Sequence, residues 1–284
     1  MEDTHFCYHE LDVLGSGTRV FMFGVFDGHG GPGAATHCSN VLPLEVAAAM
    51  RESENVAHAL VTAFERCEAS WSAWANPSAD DSGCTAQVGF RVVAFCPLSL
   101  LNSFVTVFVT PCVRQVAVII DWHDRPMKLY VANAGDCRSV LYRRGQAIQI
   151  SQDHTANVPS EASRIVGAGG TVKPARDGSL RVGGVIEVTR SIGDRLLKNF
   201  GLTSVPETHE VELSEDDEFF VMASDGVWGW IDNDTACDKV ATTVKHVDFG
   251  PKRLISEAYE AGSDDNISVV VVYLRPPPAL GPQN

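Results

Sequence analysis

Residues 24–33 read GVFDGHGGPG, and two physical readings compete for them. Gly28, Gly30 and Gly33 carry the G-x-G-x-x-G spacing of a dinucleotide-binding loop, with the apolar stretch Val20 to Phe26 before them and a helix-like stretch after, as that fingerprint demands. Yet Asp27 and His29 stand in the middle, where a negatively charged pyrophosphate would have to lie. The alternative is a strand end whose purpose is to present that aspartate and that histidine.

The bulk properties narrow the choice of partner. A chain of 284 residues suits one large domain or two small ones and buries about three quarters of its unfolded surface. Its net charge of −14 excludes nucleic acid and anionic membranes as main partners, since both require basic patches. An acidic protein also repels phosphate substrates unless a cation intervenes. The cysteines at 7, 38, 67, 84, 96, 112, 137 and 237 show no CxxC pair. They read as reduced, mostly buried thiols of a cytosolic or nuclear protein, and zinc is not expected. The start, MEDTHFCYHE, carries neither a signal peptide nor a glycine at position 2 for myristoylation.

Working outward, Val20 to Phe26 reads as a buried strand. Apolar residues recur at helical spacing from Gly33 to about Met50 and again from Glu54 to about Ala75, where Asn76-Pro77 ends the pattern. Strands are expected at Lys128–Ala132 and Ser139–Tyr142, as a hairpin around Asn133–Asp136, and at Val185–Thr189, His209–Leu213, Phe219–Ser224 and Ile267–Leu274. Helices are expected at 160–168, Asp234–Lys245 and Lys252–Gly262. Strands at hairpin spacing with helices in two separate pairs suggest an α+β sandwich rather than a doubly wound sheet. Residues 275–284 read as a disordered tail.

Three carboxylate sites stand at strand ends: Asp27-Gly28, Asp225-Gly226 and the run Ser263-Asp-Asp-Asn266. Brought together, such anions need a cation or a proton to coexist. Oxygen-only ligands select hard ions, Mg²⁺ or Mn²⁺. By spacing alone each Asp-Gly also reads as a turn, and both readings stand.

These motifs resemble those of the metal-dependent protein phosphatases, the protein phosphatase 2C family. The matching stretches are MED at 1–3, VFDGHGG at 25–31, SGCTA at 82–86, LYVANAGDCR at 129–138, RIVGAGG at 164–170, VTRSIGD at 188–194, VMASDGVW at 221–228 and DDNISV at 264–269, in the family's order. The resemblance implies an α+β fold of two antiparallel sheets packed face to face, with a helix pair on each outer side, spanning residues 1–274. It implies hydrolysis of phosphoserine and phosphothreonine in proteins by water activated at two Mg²⁺ or Mn²⁺ ions, with no covalent intermediate. Carried over by motif, Asp27 would bridge both ions, Asp225 and Asp265 would hold the first, and the Gly28 carbonyl the second. Glu2 and Asp3 would hold water ligands, Asp136 would join Asp225 at a third ion, and His29 would be the general acid. Arg190 and Asp194 would form a structural ion pair, and residues 155–184 the flap where substrate preference lies. Trp228 and Trp230 read as core. The dinucleotide reading has no acidic residue ending a second strand, because Glu45 falls inside a helical pattern. The expected partners are phosphorylated proteins, met by a monomer, with neither nucleic acid nor membrane.

Three features depart from the family's pattern. The arginine that clasps the substrate phosphate would precede MED, ahead of the residues given. Gly229 stands where relatives often carry an acid. Between SGCTA and the strand Val116–Ile120 lies an insertion, Gln87 to Gln115, within which Val92 to Val113 has no charge. That uncharged run has the length of a membrane span, but a span there would put Asp27 and Asp225 on opposite sides. Translated intron sequence is the preferred reading of the insertion. The missing arginine and Gly229 keep a second function in view, a binding module that has lost turnover.

Overall fold

The computed structural model describes residues 4–12, 19–78, 82–91, 117–120, 127–243 and 249–275. The N-terminal strands β1 (Thr4–Asp12) and β2 (Arg19–His29) pair antiparallel. Two antiparallel helices follow, α1 (Gly33–Glu52) and α2 (Val56–Ser78), and α2 runs one residue past the Pro77 expected to end it. Ala34, Cys38, Leu42, Val46 and Ala49 line one face of α1, and Val56, Leu60, Phe64, Cys67 and Trp71 one face of α2, all buried at helical spacing. The Asn55 side chain accepts a hydrogen bond from the His58 amide at the start of α2, satisfying one otherwise unpaired donor.

The sheet is completed by β3 (Gly83–Arg91), β4 (Ala117–Ile120) and β5 (Lys128–Ala134). Their register explains how the insertion is accommodated. Val88 faces Gly24 on β2 and Ala132 on β5; Ala117 faces Val131 on β5, and Ile120 faces Val20 on β2. Counting on from Val88, a strand joined directly to Ala117 would meet both neighbours in this same register. β3 and β4 thus share one strand's place. On β5 the register passes from Val88 to Ala117, while on β2 Gly89, Phe90 and Arg91 stand opposite Phe23, Met22 and Phe21 before Ile120 follows opposite Val20. Residues 92–116 lie outside the described residues.

The chain then crosses to a second sheet with β6 (Arg138–Arg143) and β7 (Gln146–Gln149). The expected hairpin around Asn133–Asp136 does not form: β5 and β6 belong to different sheets. The hairpin is β6 with β7, turned through Arg144 and Gly145 at φ 50° and 74°. Sequence spacing could not separate the two, since each offers a short polar turn between apolar runs. A smaller unit follows, with α3 (Pro159–Gly167), β8 (Val172–Pro174), β9 (Leu180–Val182), β10 (Ile192–Gly193) and α4 (Arg195–Lys198). The strand expected over Val185–Thr189 is instead a loop with isolated bridges at Ile186 and Val188. β10 joins the first sheet beside β3, as β11 (Glu207–Glu212) does beside β5. β12 (Asp217–Ala223), α5 (Asp225–Trp228), α6 (Asn233–Ala241), α7 (Phe249–Glu260) and β13 (Val269–Tyr273) finish the described fold. The second sheet runs β13-β12-β6-β7.

Alternation along β12 assigns the layers. Phe220 and Met222 join the core between the sheets, with Phe23, Val25, Leu141 and Val270. Phe219, Val221 and Ala223 face the other way, onto Ala236, Cys237, Val240, Leu254 and Ala258 of α6 and α7. A strand covered on both faces must be apolar throughout, which is why Val269–Tyr273 reads VVVVY. The expected α+β sandwich, helices–sheet–sheet–helices, is therefore the architecture observed. Cys38, Cys67, Cys84, Cys137 and Cys237 are buried. Among the described residues no helix is long and apolar enough to cross a membrane.

Candidate active site

β2 does not stop at its aspartate. Its pairing with β3 continues through Asp27 opposite Thr85, Gly28 opposite Cys84 and His29 opposite Gly83. Asp27 and His29 are two residues apart and so share a face of the strand. Asp27 is wholly buried, Gly28 is buried, and His29 is half-buried. The chain then leaves through Gly30 and Gly31, at φ 68° and 129°, a backbone that side-chain-bearing residues seldom adopt. α1 begins immediately, and the Ala34 amide donates to the Ser82 hydroxyl at 3.1 Å.

Asp225 opens α5 directly after β12, and Asp265 precedes β13. Their loops are locked together. The Ser224 amide donates to the Ser268 carbonyl and the Ser268 amide to the Ser224 hydroxyl, both at 3.1 Å. A Cβ on Gly226 would lie 2.3 Å from the Asn266 carbonyl oxygen, so only glycine permits this approach. Asp225 is half-buried; Asp265 is exposed and accepts its neighbour Asn266's amide at 2.7 Å.

The two sheets meet at this end through the link from β5 to β6. Asp27 pairs with Thr85, whose neighbour Ala86 pairs with Ala134 at the end of β5; two residues on comes Asp136, half-buried, and Arg138 pairs with Ala223, two residues before Asp225. Asp136 is therefore not in a hairpin turn but in the crossing between sheets. The Asn133 amide nitrogen holds that crossing by donating to the carbonyls of Gly135, Cys137 and Gln152. His154 braces it further: the Gly135 amide donates to Nδ1 at 3.4 Å, and Nε2 donates to Glu207 at 2.9 Å. Burial pushes the His154 pKa below its ordinary value.

The expected partnership of Arg190 and Asp194 is not what forms. Arg190 pairs with Glu161 at 2.7 Å, and so does Arg164. Burial alone would raise the Glu161 pKa, but Arg190, Arg164 and the Thr189 hydroxyl hold it well below the usual carboxylate range. Asp194 instead turns to His29, with both carboxylate oxygens 2.8 Å from Nε2. No sequence signal marked this contact, because 165 positions separate the two residues. Trp228 is buried, its indole N–H shared between the Arg138 and Ala223 carbonyls, whereas Trp230 is about half exposed and not core.

Glu2 and Asp3 lie outside the described residues. Among the described residues no three His, Cys, Asp or Glu side chains form a ready-made metal cluster. The donor chemistry nevertheless fits a hard divalent ion. Asp27, Asp136, Asp225 and Asp265 offer oxygen alone, and a carboxylate buried as fully as Asp27 costs several kcal/mol unless its charge is compensated.

The family model of protein phosphatase 2C matches residues 1–92 and 112–267. Probable protein phosphatase 2C 42 of Oryza sativa subsp. japonica is 36% identical over 97% of this chain and 81% of its own length. Probable protein phosphatase 2C 59 of Arabidopsis thaliana is 34% identical over 96% and 75%. A rice protein kinase and PP2C-like domain-containing protein is 36% identical over 97% of this chain, which spans 38% of that longer protein. Among solved structures, serine-threonine phosphatase 2C from Toxoplasma gondii shares the fold at TM-score 0.71 and 15% identity, covering 95% of this chain and 98% of its own. A C. elegans sex determining protein does so at TM-score 0.78 and 22% identity, covering 97% and 62%. With a matching family model across most of its length and relatives above 30% identity over nearly all of it, this chain belongs to the protein phosphatase 2C family of serine/threonine protein phosphatases.

Proposed function

We propose that this chain hydrolyses phosphoserine and phosphothreonine in proteins with the help of two Mg²⁺ or Mn²⁺ ions, acting as a monomer in a reducing cytosolic or nuclear compartment. The observation that carries the reading is the backbone approach of Gly226 to Asn266. It sets Asp225 beside the Asp265 loop at the end of the molecule where the β5–β6 link leads to Asp27. Asp27, the Gly28 carbonyl, Asp225 and Asp265 are the residues that would hold the ions, with Asp136 at a third. Glu2 and Asp3 would act through water. The chemistry such ions supply when bound is activation of water near neutral pH and neutralisation of phosphate charge.

The chain's own residues do the rest. The acidic strand ends fix where such ions would sit, and so the face from which water would meet phosphorus in line with the departing oxygen. As the new P–O bond forms, the bond from phosphorus to the seryl or threonyl oxygen breaks. His29 gives that departing oxygen its proton, so the products are inorganic phosphate and the free hydroxyl. Phosphate release from a phosphothreonine peptide, with Mn²⁺ and with chelator, tests the proposal. Activity that survives both chelation and Asp27→Asn would refute it.

A further inference from the structure

Resting on the phosphatase reading above, we propose that Asp194 is the positioning residue for His29, fixing Nε2 so that Nδ1 is the ring nitrogen that serves the leaving oxygen. A carboxylate only accepts hydrogen bonds, so Nε2, 2.8 Å from both its oxygens, carries the hydrogen. The sheet builds this pair. In register, His29 stands opposite Gly83 on β3, and Gly83 stands opposite Gly193 on β10, next to Asp194. The imidazole thus reaches across a glycine to meet the carboxylate. A Cβ on Gly83 would lie 2.1 Å from Asp194 Oδ2, inside the space the carboxylate fills.

Asp194 is itself held. It is buried and its φ is 51°, a left-handed conformation in which Asp and Asn are the tolerated side-chain-bearing residues. The Ser191 hydroxyl donates to Oδ2 at 2.6 Å. Gly193, at φ 86°, lets the turn press against the Ser82 carbonyl, where its own Cβ would lie 2.4 Å away. Four local features therefore aim one carboxylate at one histidine. A purely structural aspartate would not need to face a half-buried ring at the strand end that carries Asp27.

Asp194→Asn keeps shape and backbone preference while replacing one acceptor oxygen by an N–H donor. Ser191→Ala loosens Asp194 without touching His29. Two readouts separate orientation from folding. The first is turnover on a phosphothreonine peptide, whose alkoxide needs a proton, against p-nitrophenyl phosphate, whose leaving group departs as an anion. Asp194→Asn is expected to lose about 10- to 100-fold on the peptide, with a loss on the aryl ester about ten-fold smaller. His29→Gln is expected to show the same bias, and the double variant little further loss. Ser191→Ala should show the same bias more weakly. The second readout is ¹⁵N NMR of the His29 ring in metal-free protein at alkaline pH. The wild type should show the Nε2–H tautomer and Asp194→Asn a shift toward Nδ1–H.

Equal losses on both substrates, additive losses in the double variant, or an unchanged tautomer in Asp194→Asn would overturn the positioning role. A wild type that releases phosphate from neither substrate would instead bring down the phosphatase reading, and this proposal with it. Wild-type activity and a His29→Gln defect alongside a fully active Asp194→Asn would sink the proposal alone.

Discussion

Two glycines carry consequences out of proportion to their size. At Gly83 the absent Cβ is the space occupied by the Asp194 carboxylate. Gly83→Ala must displace that buried group, and overpacking of this kind costs about 1–3 kcal/mol. The expected outcome is a lower denaturation midpoint together with a loss of phosphopeptide turnover, and an unchanged midpoint would contradict the geometry. At Gly226 the obstacle is backbone, the Asn266 carbonyl oxygen, which cannot rotate away as a side chain tip can. Gly226→Ala should part the Asp225 and Asp265 loops. Titration calorimetry with Mn²⁺ is then expected to show affinity reduced by about 10- to 100-fold, as for other residues that orient metal ligands. GVFDGHGG announced Asp27 and His29 by residue type alone. The partner of His29 stayed hidden because a contact between strands two places apart in a sheet leaves no local pattern.

Between elements, the crossing from β5 to β6 depends on His154, which ties the Gly135 amide to Glu207 on β11. Burial keeps this imidazole neutral in the fold, with Glu207, Glu161 and Arg190 its charged neighbours. The unfolded chain therefore binds an extra proton between the ordinary value of 6.5 and the lower folded one. Its contribution is fully present above 6.5 and is lost as pH falls through that window. Urea midpoints measured against pH should decline below about 6.5 in the wild type, and that decline should shrink in His154→Asn. Glu161 acts in a separate window: its folded pKa lies below the ordinary 4.5, so its contribution holds above 4.5 and fades on further acidification. A Glu161→Gln variant should shrink the second decline and, by removing a negative neighbour that favours the His154 cation, deepen the first. The helices were legible as elements because 3.6-residue periodicity is a property of one segment. Which strands pair was not, and β5 and β6 read as a hairpin for that reason.

At the scale of the molecule, β3 and β4 occupy one strand's place although residues 92–116 separate them in the chain. On β5 the register passes from Val88 to Ala117 and on β2 from Arg91 to Ile120, a step of 29 positions in both cases. The family model falls silent within that stretch, matching up to residue 92 and again from 112. A chain in which Val88 is joined directly to Ala117 is expected to fold into the same sandwich, with a thermal midpoint no lower than that of the parent. It also sheds an uncharged segment that is an aggregation liability. Collapse or aggregation of the spliced chain would show that the intervening residues are required. Transcript sequencing across the same codons would establish whether the processed message encodes them.

The sequence by itself determined the family, the layered α+β architecture and the carboxylates at three strand ends. Each of these is written in short contiguous motifs, in the period of the apolar residues and in the order of segments. Only the tertiary structure decided that Asp194 meets His29 while Arg190 meets Glu161, that Asp136 lies in a crossing between sheets, and that Gly226 and Gly83 are points of close approach. Those facts depend on which strand ends are neighbours. Neighbourhood in a sandwich is set by pairing across the core, where residues far apart in the chain compete for the same space.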